Sequence, residues 1–478
     1  MTYPNDQVGL AHVDRFMTML GDRGVVTDQN DLSAYEMGPR AEAGKALCVV
    51  RPATTAEVSS VVSYCVDAGL HMIPQSGNTG LVGGSTPDAS GRQVLISLER
   101  LTSPIEINPY NRTVVVGAGV RLSQLNAALE SHGLFFPIDL GADPMVGGMV
   151  STNTGGARFL KYGDVRSNLL GIEVVLADEQ GSIVDMLSTP RKNNVGLDLK
   201  QVFVGTAGLF GIVTAAVLQV HPLPMQRTAA FLHPSSEHAV MRLFMEFERR
   251  VGDHLSAFEG ISAEALEMAI RHVPNLRNPF LAQEQPGYSV LLELTRTWEP
   301  REVEQSLDHL LGEVLEEIWA LPDSPLTNAV LANPEDAWRL RHSLTHALSD
   351  GGKVYAFDVG FAREIAMVFR RQAKDAVLSR HPHLLVCDFG HIGDGGLHFN
   401  IVEKNDADRH LSIEEVTELK DLVYDIVHQH KGSFSAEHGI GRNNDRWYRK
   451  YTDERTRKIT ADIRGIVGSR LVGPIDPA

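Results

Sequence analysis

The stretch CDFGHIGDGGLHFN holds two histidines, His391 and His398, seven positions apart around a run of glycines. The pair cannot share one face of a stable helix, because each glycine inside a helix costs about 1 kcal/mol. The glycines instead predict a loop that leads into a short strand over LHFNI. Side chains alternate along a strand, so His398 and Asn400 are expected on one face, with the neighbouring apolar residues packed behind.

A second segment, GSFSAEHGIG, is able to bring a carboxylate to the same two imidazoles. It places Glu437 and His438 in a glycine-bracketed turn after a predicted helix. His391, His398 and Glu437 would then form a set of two histidines and one carboxylate with open coordination positions. Such a set suits catalytic zinc, although iron(II) and manganese accept the same ligands. The alternative is a hydrogen-bonded pair of structural histidines, which the chain's 19 histidines make easy to find by chance.

The composition is that of a globular protein without an evident nucleic-acid partner. The chain has 478 residues, 43% of them hydrophobic, which predicts two or three domains with their own cores. Sixty acidic and 44 basic residues give a net charge of -16, which repels a phosphate backbone. The three scattered cysteines predict a reducing compartment, taken as the cytoplasm. The absence of a long apolar run predicts no secretion signal and no membrane span.

Two stretches dense in Gly, Ser, Thr and Asn, at 75–85 and 141–156, are predicted to be loops that expose backbone N–H groups to a diphosphate. The GAG sequence at 117–119 does not complete a dinucleotide fingerprint, because Leu122 replaces the third glycine. The first loop also lacks the Gly-Lys-Ser/Thr ending of a P-loop. Either loop alone could be an ordinary surface turn, but two in one domain favour a cofactor.

Three segments in register resemble a known flavoprotein family: PQSGNTGLVGGS, PIDLGADPMVGGMVSTNTGGARFLKYGDVRSNLLGIEVVLAD and DLKQVFVGTAGLFGIVT. They resemble the FAD-binding domain of the vanillyl-alcohol oxidase and p-cresol methylhydroxylase superfamily. Within it the resemblance is to the FAD-dependent D-2-hydroxyacid dehydrogenases, with D-2-hydroxyglutarate dehydrogenases as the nearest group. HIGDGGLH and SAEHG occur in the same order as in that family. Departures include Ser76 and Gly396, where the family usually has glycine and asparagine.

The resemblance implies an α+β fold with a two-lobed FAD-binding domain of the p-cresol methylhydroxylase type at 45–224. An α+β substrate or cap domain is expected at 225–430, a helical N-terminal segment at 1–44, and a helical C-terminal segment that completes the active site at 431–478. FAD is expected to be non-covalent, because Asn78 stands near the position of the histidine in covalently flavinylated relatives. By the resemblance, the residues that contact FAD are Pro74, Ser76, Gly77, Asn78, Thr79, Gly80, Gly83, Gly84, Ser85, Gly147, Gly148, Ser151, Asn153, Gly155, Gly156 and Ile212.

The implied reaction is oxidation of a D-2-hydroxyacid to the 2-oxo acid. One divalent metal, expected to be zinc, would bind His391, His398 and Glu437 and lower the pKa of the substrate hydroxyl. His438 would take the hydroxyl proton, and hydride would pass from C2 to flavin N5. Asn400 is expected to take part in catalysis because it shares the face of His398.

The substrate itself is less well defined by the sequence. Arg341 and Thr345 match the family's substrate-binding pair, whereas spacing alone would assign Arg339 and Arg341 to a solvated helix face. Ala356 stands where D-2-hydroxyglutarate dehydrogenases typically have lysine, and Lys353 is offset to the opposite face of the strand. Both D-2-hydroxyglutarate and a D-lactate-like acid therefore remain as expected substrates.

Two other functions stay open from the sequence. One is a flavin oxidase or hydroxylase of the same superfamily that acts on another alcohol, although such enzymes need no chelating site. The other is an FAD-binding subunit without catalysis of its own. The electron acceptor leaves no motif, so a quinone, a cytochrome and an electron-transfer flavoprotein are all retained as partners. A homodimer is a further expectation.

Overall fold

The structure is a computed structural model that describes residues 7–40, 43–280, 285–405, 409–468 and 470–477. Helices and strands are mixed along these residues in three main sheets, which confirms the α+β class. No helix in these ranges is both long enough and apolar enough to cross a membrane.

The first sheet has four strands, and two of its three strand pairs, β2 with β4 and β3 with β4, are parallel. Its strands, in the order β1-β2-β4-β3, are β1 (Val25–Val26), β2 (Ala46–Val50), β3 (Met72–Gln75) and β4 (Gln93–Ser97). The helices of this part are α1 (Gln7–Leu20), α2 (Gln29–Glu36) and α3 (Thr55–Asp67). The side chain of Thr54 caps α3 by accepting the N–H of Glu57, and the apolar stripe of α3 is buried as its periodicity predicts.

The second sheet has five antiparallel strands in the order β5-β6-β10-β8-β9. The strands of this region are β5 (Ile105–Asn108), β6 (Thr113–Gly117), β7 (Leu134–Phe135), β8 (Leu169–Val175), β9 (Ile183–Met186), β10 (Ile212–Gln219) and β11 (His221–Pro222), with β7 pairing β11. Its helices are α4 (Leu122–Glu130), α5 (Val146–Thr152), α6 (Phe159–Tyr162) and α7 (Val165–Asn168). The prediction of a loop throughout 141–156 is wrong in part, because Val146, Met149 and Val150 bury one face of α5.

The third sheet has eight strands and carries the histidine segment. Along its main path the order is β15-β12-β14-β13-β18-β19-β16, and β17 pairs β19. The strands are β12 (Gln226–Pro234), β13 (Leu255–Ser262), β14 (Tyr288–Arg296), β15 (Leu326–Ala332), β16 (Gly352–Gly360), β17 (Leu385–Val386), β18 (Phe389–Gly390) and β19 (Gly396–Lys404). The helices are α8 (Ala239–Val251), α9 (Ala263–His272), α10 (Leu307–Trp319), α11 (Pro334–Gly351), α12 (Arg363–Arg380), α13 (Ile413–Gln429), α14 (Asp445–Tyr451) and α15 (Glu454–Val467). The change of sheet after residue 222 favours the predicted boundary at 224, and all the domain limits stay predictions.

The pairing of β16 with β19 positions the polar residues of the histidine segment. Asp358 lies opposite His398, and Ala356 lies opposite Asn400. Residues directly opposite each other point to one face of a sheet, so these four share a face, as the alternation in the sequence predicts. The other face of β19 carries Phe399, which is buried in a core that α12 and α13 complete. Apolar packing on one side therefore fixes which side chains reach the other.

A fully buried guanidinium group holds the strand that leads to His391. The Nε atom of Arg370, on α12, donates to Asp388 at 2.6 Å, and its Nη1 donates to Glu237 at 2.6 Å. The guanidinium carbon also lies 4.5 Å from the ring centre of Tyr288. Since Asp388 precedes β18, this pair connects α12 to the start of the histidine segment.

Replacing this cation should destabilise the fold strongly. We expect Arg370→Met to lower the free energy of unfolding by about 3–5 kcal/mol, because it leaves the buried Asp388 carboxylate without its partner. The exposed neighbour Arg371 is the matched control, and Arg371→Met should change stability by about 0.5 kcal/mol or less. Urea denaturation of both variants measures the difference, and equal stabilities would contradict the structural importance of the pair.

Candidate active site

The two histidines of the opening stretch lie together, each with a carboxylate beside its Nδ1 atom. His391 follows β18, and its Nδ1 lies 2.8 Å from Oε1 of Glu259 on β13. His398, on β19, has its Nδ1 3.6 Å from Oδ1 of Asp358 on β16. The two rings meet edge to face with centroids 5.2 Å apart. This arrangement leaves the Nε2 atoms available to a common ligand.

Glu437 completes the set from the C-terminal segment. One of its oxygens, Oε2, lies 3.6 Å from Nε2 of His391, and the ligand atoms of Glu437, His391 and His398 are all within 4.8 Å of one another. The other oxygen, Oε1, accepts the N–H of Gly156 at 2.9 Å. A Cβ at the neighbouring Gly155 would lie only 2.7 Å from that oxygen, so glycine is required by the close approach. The second glycine-rich segment therefore touches the predicted metal set directly.

Asp358 fixes the turn that carries Glu437 and His438. Its Oδ2 accepts the main-chain N–H groups of both residues, each at 2.8 Å. The His438 ring lies nearly parallel to that of His398, with centroids 5.7 Å apart, and its Nδ1 is 3.7 Å from Asp358. Asp358, His398 and His438 form a second group whose ligand atoms lie within 4.8 Å of one another. The predicted base therefore stands next to the predicted ligands.

Charges alternate through the cluster. Burial opposes protonation of His391, but the carboxylates of Glu259 and Glu437 outweigh it and raise the His391 pKa well above its ordinary value. Burial, with repulsion from His391, lowers the pKa of His398 to about 3. Burial opposes ionisation of Glu437, yet the charge of His391 outweighs it and lowers the Glu437 pKa. Without a metal, the result is a neutral His398 beside a charged Glu437, whereas His391 keeps a proton that a bound metal ion would displace.

The predicted substrate-binding residues on α11 have different surroundings. Arg341 is buried, its Nε donates to Glu259 at 2.7 Å, and its guanidinium carbon lies 4.8 Å from the ring centre of Phe389. Thr345, one turn further on, is exposed. The side chain of Asn400 is buried and donates to the main-chain oxygen of His398 at 3.2 Å.

Three sequence expectations about neighbouring residues can be compared with these positions. Arg339 is exposed and pairs with Asp336 at 3.0 Å, as expected for a solvated helix face. Arg341, which spacing alone assigned to the same face, is instead buried. Lys353 is exposed and lies over the ring of Tyr355, away from the cluster.

Sequence reasoning missed Glu259 and Asp358. Both are acidic residues inside otherwise apolar strand patterns, AFEGI and YAFDV, and a carboxylate in such a pattern needs a buried partner. This pattern predicts that each carboxylate has a buried partner, but it does not identify the partner. Only the sheet order, which brings β13 and β16 on either side of the histidine strands, assigns Glu259 to His391 and Asp358 to His398.

The first glycine loop has the features of an anion cradle. None of the main-chain N–H groups from 76 to 85 donates to another main-chain or side-chain acceptor among the described residues. Asn78 adopts a positive φ of 52°, and its side chain accepts from Ser85 and donates to the main-chain oxygen of Met37. Free amides in a turn of this kind bind phosphate oxygens, so the loop fits the pyrophosphate of FAD.

The two glycine-rich segments lie against each other. A Cβ at Gly147 or Gly148 would lie 3.2 Å from side-chain atoms of Ser76. Because glycine has no side chain, these two positions leave room for the serine of the first loop. Pro74 lies next to Gly208 in the third quoted segment. The first loop is also covered by the C-terminal segment, because the N–H of Asn443 donates to Val82 at 3.0 Å.

The remaining predicted FAD contacts vary in surroundings. Thr79 and Ser151 are half-buried, and Gly80 is exposed. Gly83 and Gly84 lie under Asn443 and Ile440, respectively. The Asn153 side chain is engaged locally, donating to Asp164 at 2.7 Å. Ile212 is buried in the apolar core beside the first sheet.

Comparison with known proteins gives the family. Residues 46–186 match the family described as FAD binding domain, and residues 223–467 match FAD linked oxidases, C-terminal domain. A probable mitochondrial D-2-hydroxyglutarate dehydrogenase of Oryza sativa subsp. indica is 34% identical over 90% of this chain and 74% of its own length. The chain belongs to the FAD-dependent D-2-hydroxyacid dehydrogenase family.

Other relatives of this dehydrogenase are named for the same class of enzyme. The mitochondrial D-2-hydroxyglutarate dehydrogenase of Bos taurus is 34% identical over 87% of this chain and 74% of its own length. A putative mitochondrial D-lactate dehydrogenase of Schizosaccharomyces pombe is 33% identical over 87% of this chain and 78% of its own length. The family prediction is confirmed.

Solved structures confirm the expected fold type. p-Cresol methylhydroxylase with substrate bound superposes with a TM-score of 0.73 at 17% identity, covering 97% of this chain and 95% of that one. The 4-ethylphenol oxidase of Gulosibacter chungangensis also gives 0.73 at 17% identity, covering 98% and 97%. At this identity the likeness concerns the fold alone.

The cytoplasmic location predicted for the dehydrogenase is wrong, because the relatives it matches are named as mitochondrial proteins. The three cysteines are free and buried, as expected in a reducing compartment. Reduced thiols do not distinguish one such compartment from another, so the cysteine count could not locate the protein.

The flavin of the dehydrogenase should be released by denaturation. The segments 75–85 and 141–156 contain no histidine, cysteine or tyrosine that could form a covalent flavin link. Acid precipitation of the yellow holoprotein should therefore leave all flavin absorbance in the supernatant. Colour that remains with the washed pellet would contradict non-covalent binding.

Proposed function

We propose that this enzyme oxidises a D-2-hydroxyacid to the 2-oxo acid with FAD and one divalent metal held by His391, His398 and Glu437. The observation that carries the proposal is the convergence of this set beside the FAD-binding segment, where Gly156 donates to Glu437. The names of the relatives, which include D-2-hydroxyglutarate and D-lactate dehydrogenases, support the substrate class.

The surroundings of the imidazoles support a metal over a simple histidine pair. Metal-binding histidines usually present their second nitrogen to a carboxylate or carbonyl, which orients the ring and increases its basicity. Glu259 is at hydrogen-bonding distance from His391, and Asp358 faces His398. The Oδ1 atom of Asp358 is buried and makes no hydrogen bond within the described part of the chain, which leaves it available to His398. The donor set suits zinc, and iron(II) and manganese also accept it.

The side chains divide the work around the substrate. FAD would supply the hydride acceptor, and a divalent metal held by His391, His398 and Glu437 would polarise the C2 hydroxyl. His438 is placed to take the hydroxyl proton, because Asp358 holds its main chain and its ring lies beside that of His398. Arg341 uses its Nε for Glu259, so its terminal nitrogens are those left for the substrate carboxylate. Asn400 shares the face of His398 on β19, and we assign it a role in orienting the substrate.

The substrate class can be tested by anaerobic bleaching of the flavin. We expect D-2-hydroxyacids to reduce the FAD at least about 100-fold faster than their L enantiomers, since only one enantiomer places its C2 hydrogen toward the flavin with the hydroxyl at the cluster. Stopped-flow absorbance with D- and L-lactate and with D- and L-2-hydroxyglutarate measures the ratio. Bleaching by L acids alone would reverse the stereochemical assignment, and no bleaching by any acid would reject the function.

The metal requirement can be separated from flavin binding. We expect His398→Ala to lose the bound divalent metal and at least about 100-fold in activity while its flavin spectrum stays unchanged, because the predicted FAD contacts lie on other segments. Metal analysis and absorbance spectroscopy of the purified variant measure the two effects. His410, an exposed histidine in the same domain, provides the control, and His410→Ala should retain both metal and activity. Full activity in metal-free wild type would show that no metal is required.

A further inference from the structure

One buried carboxylate, that of Glu259, contacts both a predicted metal ligand and the predicted substrate-binding arginine. Its Oε1 atom lies 2.8 Å from Nδ1 of His391, and its Oε2 atom accepts a hydrogen bond from Nε of Arg341 at 2.7 Å. The side chain is 1% exposed and comes from β13, which pairs with β14 on one side and with β18 on the other. Each oxygen of this carboxylate therefore has its own partner.

The two partners have different hydrogen-bonding capacities. The Nε atom of an arginine always carries a hydrogen and never accepts, whereas Nδ1 of a neutral histidine donates in one tautomer and accepts in the other. An ionised carboxylate only accepts, so Oε1 of Glu259 selects the tautomer of His391 that carries its proton on Nδ1. The lone pair is then on Nε2, the nitrogen that lies 3.6 Å from Oε2 of Glu437 in the predicted metal set.

The bond to Arg341 makes this selection depend on having two oxygens at position 259. An amide of the same shape has one oxygen and one NH2 group. Because Arg341 cannot accept, the amide oxygen would have to face its Nε, and the NH2 group would face Nδ1 of His391. That nitrogen would then have to accept, and the remaining proton would lie on Nε2, where it blocks a metal ion. Arg341 thus decides how the side chain at 259 meets the histidine, although it is not a predicted ligand.

Resting on the proposed function, we infer that Glu259 is a positioning residue that couples the metal ligand His391 to the substrate-binding Arg341. It keeps the proton of His391 on Nδ1, so that Nε2 is open to the metal. It also holds the guanidinium group of Arg341 by Nε, which leaves the terminal nitrogens for the substrate carboxylate. One side chain thereby sets both the affinity for the metal and the affinity for the acid.

The test measures zinc affinity in the FAD-loaded protein by competition with a chromophoric chelator. We expect Glu259→Gln to bind Zn²⁺ about 10- to 100-fold more weakly, because the amide no longer keeps Nε2 of His391 free of its proton. Adding Arg341→Met should restore zinc affinity to within about threefold of wild type, because the amide can then turn its oxygen toward His391. A residue with a merely structural role would show no such recovery, since a second buried substitution adds to the damage.

The single variant Arg341→Met separates the two effects. It should keep zinc affinity within about threefold of wild type and raise KM about tenfold for the D acid that wild type oxidises, as loss of a charge-assisted hydrogen bond does. Glu293 is the matched control, a buried carboxylate on β14 that accepts from Nε of Arg227 at 2.8 Å and contacts no histidine within the described ranges. Glu293→Gln should leave zinc affinity within about threefold of wild type.

A measurement on the wild type does not depend on the folding of any variant. In the zinc-loaded protein, with its histidine nitrogens isotopically labelled, NMR should show the proton of His391 on Nδ1. A proton on Nε2, an unchanged zinc affinity in Glu259→Gln, or a double variant that binds zinc no better than Glu259→Gln would each overturn the inference. Wild type that binds no Zn²⁺ would instead reject the proposed metal site, so the two failures are distinguishable.

Discussion

The site depends on one carboxylate, that of Asp358, which joins the third sheet to the C-terminal segment. A single oxygen accepts the N–H groups of Glu437 and His438, while the other faces His398 across the β16 and β19 pairing. Glu437 and His438 are neighbours in the C-terminal turn, whereas His398 lies on β19, so Asp358 joins two distant parts of the chain. Hydrogen bonds to an ionised group are stronger than neutral ones, so this carboxylate can hold a turn that has no regular secondary structure.

The second constraint is the balance of buried charge. Arg341, Glu259, His391 and Glu437 form a row in which positive and negative groups alternate. Burying one of these charges alone would be costly, and each neighbour reduces the cost for the next. The row runs from α11 through the third sheet to the C-terminal turn and ends at the N–H of Gly156. The FAD-binding part and the substrate part are therefore linked by electrostatics as well as by packing.

The glycine-rich segments show how the predicted FAD-binding loop and the predicted metal ligands can share one region. The main-chain N–H groups of the first loop make no hydrogen bond to the described part of the chain, and the C-terminal segment covers this loop through Asn443. The second segment places Gly155 against Glu437, where a larger residue would displace the carboxylate. The same C-terminal segment thus contacts the FAD-binding loop and supplies a predicted metal ligand. A shift of this segment would disturb both sites together.

The sequence by itself determined the features that are local. Strand alternation was enough to put His398 and Asn400 on one face, helical periodicity identified the buried stripe of α3, and the family motifs identified the fold. It failed where a residue's partner is distant in the chain. Glu259 and Asp358 carry no motif, and nothing near Thr345 in the sequence shows that it is exposed while Arg341 is buried. The charged neighbours of each histidine were decided by sheet order and register, because these bring together strands that are separated by up to about 130 residues.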